Sequence, residues 1–64
     1  MTKKQLIDEL KKAGPVYVGV RMHEDDIVYV KAVRSDVLDM VKRTTPVADD
    51  GFIAERLDDG LYIG

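Results

Sequence analysis

Sixty-four residues with 45% apolar content, 12 acids against 10 bases and no cysteine describe a small globular chain without disulfide staples or thiolate metal frameworks. No apolar run approaches the roughly 20 residues of a membrane span, so the expectation is a cytoplasmic protein with no membrane partner. A core of this size supplies only about 3–5 kcal/mol, which leaves regular packing or self-association as the route to stability.

In chain order, Thr2 followed by Gln5 has the spacing of a capping box. Leu6, Ile7 and Leu10 then share one helical face before Gly14 and Pro15, which predicts a helix over 3–13. From Val16 the period becomes two: Val16, Val18, Val20 and Met22 alternate with Tyr17, Gly19 and Arg21, as in a strand. His23, Glu24, Asp25 and Asp26 form a turn, and 27–33 reads as a second strand rich in β-branched and aromatic residues. Ser35 is the expected N-cap of a second helix whose stripe is Val37, Leu38 and Val41. Asp36 and Asp39 suit its positive end, and Lys42 and Arg43 its negative end. After a break at Thr44, Thr45 and Pro46, strands over 52–57 and 61–63 flank Asp58-Asp59-Gly60, a hairpin turn in which Gly60 is free to take positive φ.

The expected fold is therefore a single α+β domain, 1–64, in αββαββ order, with two short helices packed on one face of a mainly antiparallel four-stranded sheet. The halves also resemble each other. Leu6-Ile7-Asp8 matches Val37-Leu38-Asp39, Leu10-Lys11-Lys12 matches Val41-Lys42-Arg43, and Pro15-Val16 matches Pro46-Val47, all at an offset of 31. An internal αββ pseudo-repeat, with units of about 1–33 and 34–64, is one reading; two similar amphipathic helices each followed by Pro and a hairpin is the other.

Pairing Met22 with Val28, Val20 with Val30 and Val18 with Ala32 collects the aliphatic residues of the first hairpin on one face, under the helices. It sends Tyr17, Arg21, Tyr29 and Lys31 to the opposite face. Pairing the second hairpin at Leu57 and Leu61 adds Arg56 beside Tyr62. Three tyrosines interleaved with three bases form the most distinctive surface expected, a candidate partner-binding face.

Aromatic rings and cations on a sheet suit exposed bases and phosphate, but they also pair across strands for ordinary structural reasons. The first 43 residues carry nine bases against seven acids and the last 21 carry one against five, so no concentrated basic field favours nucleic acid. Asp49, Asp50, Asp58 and Asp59 form a candidate acidic surface that would imitate a phosphate backbone, or simply turn residues kept polar. His23 with Glu24, Asp25 and Asp26 has metal-ligand chemistry but no ligand-loop spacing, and no metal or other cofactor is expected. A single histidine without cysteine leaves little for a nucleophile–base pair, so no catalysis is expected. The function expected is that of a small regulatory or accessory protein of the bacterial or phage kind, occupying a surface of another protein or pairing with itself through a sheet edge as a homodimer; the alternative is a single-stranded nucleic-acid-binding module.

Overall fold

The computed structural model describes residues 1–45 and 51–64. Pro46, Val47 and the Asp49 and Asp50 half of the acidic surface lie outside the described residues. Helix α1 (Lys3–Leu10) opens with the capping box: Thr2 Oγ1 accepts the Gln5 N–H at 3.1 Å, and Gln5 Oε1 accepts the Thr2 N–H at 2.9 Å. It ends before the expected residue 13. The Lys11 amide is shared between the Ile7 and Asp8 carbonyls and Lys12 bonds back to Glu9, a tightened last turn that releases the chain toward Gly14 at φ 124°.

Strands β1 (Val16–Arg21) and β2 (Ile27–Ala32) follow, then helix α2 (Arg34–Arg43), β3 (Ala54–Leu57) and β4 (Gly60–Ile63). The cap of α2 differs from the sequence reading. Extended Val33, not Ser35, is its N-cap, with no side-chain cap bond, because the chain passes from β2 into the helix through this one residue. The two helices are tied end to end: Lys3 Nζ donates to the Lys42 carbonyl at 2.7 Å, and an Arg34 guanidinium N–H donates to the Lys12 carbonyl. Each base thereby satisfies a carbonyl at the C-terminal end of the other helix, where the helix dipole favours positive charge.

The sheet order is β2-β1-β4-β3, with antiparallel hairpins at both sides and a parallel β1–β4 pair in the middle. The sheet is thus mixed rather than mainly antiparallel, since the return from α2 brings β4, not β3, beside β1. First strands of the two αββ units consequently occupy unlike places, β1 inside the sheet and β3 at its edge. The sheet order of the described residues therefore does not confirm the pseudo-repeat.

Both hairpin registers also differ from those expected. The first pairs Val16 with Ala32, Val18 with Val30 and Val20 with Val28, a shift of two residues that keeps every side chain on its expected face. The second pairs Leu57 with Gly60, Arg56 with Leu61 and Glu55 with Tyr62. That odd shift turns Arg56 to the helix side and puts Glu55 beside Tyr62. Only Asp58 and Asp59 remain in the loop, and the two leucines expected to pair do not: Leu61 is buried, whereas Leu57 is exposed.

Leu6, Leu10, Val37 and Val41 of the helices pack on Val16, Leu61 and Ile63 of the inner strands, and these seven side chains form the buried core of the described residues. Arg56 closes its rim. Its Nε donates to Glu9 Oε1 and a terminal N–H to the Glu9 carbonyl, both at 2.9 Å, while Lys12 pairs with the other carboxylate oxygen. The Lys12 and Arg56 hydrogen bonds hold the Glu9 carboxyl below its ordinary value.

Two outcomes are expected. An alanine Cβ at Gly60 would lie 2.8 Å from the Pro15 carbonyl oxygen and 2.9 Å from the Tyr17 ring, so Gly60→Ala should cost on the order of 2 kcal/mol in denaturant melts. The depressed Glu9 value means that its stabilisation is present above about pH 4.5 and lost as pH falls through the lower folded value. Glu9→Gln should therefore flatten the acid limb of a stability–pH profile, and an unchanged limb would contradict the pairing.

Candidate functional site

The face of the sheet opposite the helices gathers the tyrosines into one cluster. Tyr17 and Tyr62 lie side by side across the parallel β1–β4 pair, their rings stacked at 4.9 Å and 20°. Tyr29 belongs to β2, on the far side of β1, yet its ring meets Tyr62 edge-on at 5.1 Å and its hydroxyl donates to the Gly64 carbonyl at 3.0 Å. The intervening residue is Gly19, opposite Tyr29. A Cβ there would stand 3.0 Å from Ile27 Cγ2 and 3.2 Å from Tyr29 Cε1, so the missing side chain is what lets Tyr29 cross β1.

Charge around the cluster is not what the sequence suggested. Lys31 faces Tyr17 across β1–β2 and Arg21 lies on the same face, but Arg56 is on the other side, bound to Glu9. The neighbours of Tyr62 are acids. Glu55 is opposite Tyr62 on β3, and the Tyr62 phenol donates to Asp59 Oδ2 at 2.8 Å, so that of the described half of the expected acidic surface, Asp58 and Asp59, the latter adjoins the tyrosines. An open depression of about 520 Å³ beside it is lined by Tyr29, Ile53, Glu55, Leu57, Tyr62 and Gly64. The rings of Tyr17 and Tyr62 each turn one face to the other.

Pairing through a sheet edge was expected, but the sequence leaves open which strand forms that edge. β2 is outermost, and every residue from Ile27 to Lys31 is exposed, with Ile27 48%, Val28 49%, Tyr29 43% and Val30 46% accessible. Val28 and Val30 point to the helix side but extend beyond the helices, and Val20 beside them is also exposed. The Met22 N–H donates to the Asp26 carbonyl at 3.0 Å, making 22 and 26 a hydrogen-bonded pair. Ladder alternation then directs the backbone groups of Val28, Val30 and Ala32 toward β1, and those of Ile27, Tyr29 and Lys31 outward. The opposite edge, β3, is four residues long with Glu55 and Arg56 at its centre, features that discourage strand pairing. A β-branched run with one charge at the end of a chain segment was legible in the sequence; that it is an edge was not, because edge position depends on strand order.

Among the described residues no group of three or more His, Asp or Glu side chains is placed to hold a metal ion, and the acidic tip at His23–Asp26 is an exposed hairpin end. No helix among them is long and apolar enough to cross a membrane. Compared with protein-family models, curated proteins and solved structures, the chain matches none.

The phenol of Tyr62 is pushed up to about 12, first by its hydrogen bond to Asp59, then by burial and by the Asp59 charge. A raised phenol stabilises the fold fully below its unfolded value near 10, and that contribution is lost as pH rises through about 12. In an absorbance titration of phenolate, the Tyr62 step should therefore fall near 12. Asp59→Ala should move the Tyr62 step back toward 10, and a Tyr62 step unchanged by that variant would refute the bond.

Proposed function

We propose that this chain is a small, non-catalytic interaction protein, of the regulatory or accessory kind and cytoplasmic, that works by adding a strand to its β2 edge. One observation carries the reading: β2 is a six-residue edge strand with exposed apolar side chains on both faces and a single charge, Lys31, and the backbone groups of Ile27, Tyr29 and Lys31 are turned outward. An edge of this kind offers main-chain hydrogen bonds for affinity and alternate side chains for selectivity. Tyr29 and Lys31 belong to both this edge and the tyrosine face, so an added strand would lie against the ring cluster that Tyr17 and Tyr62 complete. Arg21 flanks it, while Arg56 supports the fold from the other side.

The alternative, a single-stranded nucleic-acid module, is less well supported by this geometry. Stacking of Tyr17 on Tyr62 takes up one face of each ring, and the acids Glu55 and Asp59 beside Tyr62 repel phosphate.

The discriminating comparison uses the wild type and a Val28→Lys, Val30→Lys double variant, whose charges stand on an exposed edge and should leave folding intact. Light scattering and tagged capture should reveal a bound species, either a second copy or another protein, that the variant loses. A wild type that stays monomeric and retains nothing the variant releases would overturn the proposal. A salt-sensitive anisotropy shift with a labelled oligonucleotide, abolished by Tyr29→Ala, would replace it with the alternative.

A further inference from the structure

We infer that the strand added to β2 is β2 of a second copy of this chain, paired antiparallel about a two-fold axis through Val30, so that two four-stranded sheets become one. This rests on the strand-addition reading and names its partner. The first support is where the apolar surface lies. Of ten large hydrophobic residues exposed among the described residues, seven (Val20, Met22, Ile27, Val28, Tyr29, Val30 and Val33) belong to the β1–β2 hairpin and the residue after it. A contact at the edge of that hairpin covers the side of the molecule that the core leaves bare.

The second support is that β2 is complementary to itself. An isologous contact places residue i against residue j and j against i, so one strand must supply both halves. With Val30 on the axis, Val30 faces its own copy, Val28 faces Ala32, and Tyr29 faces Lys31 twice over. The backbone agrees with this register. Tyr29 and Lys31 are the residues whose N–H and C=O groups point outward, so each of the two Tyr29–Lys31 pairs can exchange both ladder bonds. Val28, Val30 and Ala32 fall at the wide positions between them, and their side chains extend the apolar stripe of one copy into that of the other.

Charge selects among the registers. Centring on Lys31 would oppose two ammonium groups on the strand's only charged residue. Centring on Tyr29 would lay each ammonium against the aliphatic Ile27. Centring on Val30 instead sets each Lys31 against Tyr29 of the partner strand, whose ring leans inward over Gly19, so that no like charges are opposed and the ammonium has room along the edge. Shifts by one residue are excluded, because they would oppose outward-facing backbone groups to inward-facing ones and throw the two helix layers onto opposite faces.

Because the chain has no cysteine, single replacements report this geometry directly. At a wide antiparallel position opposed Cα atoms are about 4.5 Å apart, within disulfide range, and only the residue on the axis meets its own copy. Val30→Cys should form a disulfide-linked dimer under mild oxidation, whereas Val28→Cys should not. Wild-type light scattering should give twice the monomer mass, falling on dilution. Amide exchange at Tyr29 and Lys31 should slow as concentration rises, which guards against a cysteine variant that fails to fold. Cross-linking through Val28→Cys alone, or a concentration-independent monomer with fast Tyr29 and Lys31 exchange, would overturn the inference. In the monomer case, capture of another protein that the Val28→Lys, Val30→Lys variant loses would still leave the strand-addition reading in place.

Discussion

Parallel pairing of β1 with β4 joins the two hairpins, and it depends on how closely two backbones approach at its start. Gly60 lies against Pro15, whose carbonyl accepts the Leu61 N–H at 3.0 Å, and from there Val16 faces Leu61 and Val18 faces Ile63. A side chain at Gly60 would meet the Pro15 carbonyl before that bond closed. The helices then cover what the pairing brings together, with Leu6, Leu10, Val37 and Val41 over Val16, Leu61 and Ile63. With seven buried core side chains among the described residues there is little redundancy, and the reciprocal ties from Lys3 and Arg34 to opposite helix ends keep the two short helices over the junction.

The same junction creates the exposed surface. With β1 and β4 inside, β2 and β3 become edges of unlike character, one long and apolar, the other short and charged. It sets Tyr62 beside Tyr17, and the absent side chain of Gly19 allows Tyr29 to reach them across a strand. Tyr29 is thereby held by ring contacts and by its bond to Gly64 while its own backbone groups face outward. An edge strand pinned in this way is ordered before anything binds to it, which lowers the conformational cost of adding another strand.

The faces on which the side chains lie were legible in the sequence for the first hairpin and not for the second, for one physical reason. Side chains alternate with a period of two, so the two-residue error in pairing Val20 left Tyr17, Arg21, Tyr29 and Lys31 on the correct side. An odd error cannot be absorbed that way. Pairing Leu57 with Leu61 because both are apolar turned Arg56 outward, whereas the two-residue loop at Asp58-Asp59 turns it in toward Glu9. Nothing local marks that choice, since the Arg56–Glu9 partners are 47 residues apart.

The amino-acid sequence alone determined the αββαββ order, the capping box on α1, the helical stripes and the division of the first hairpin into unlike faces. Those features follow from periodicities and caps that act over a few residues. Tertiary structure decided which strands became neighbours, and with that the mixed sheet, the tyrosine cluster, the inward turn of Arg56 and the open edge at β2. These depend on contacts between segments far apart in the chain, where burial against the helices selects one arrangement from several that satisfy the same local pattern.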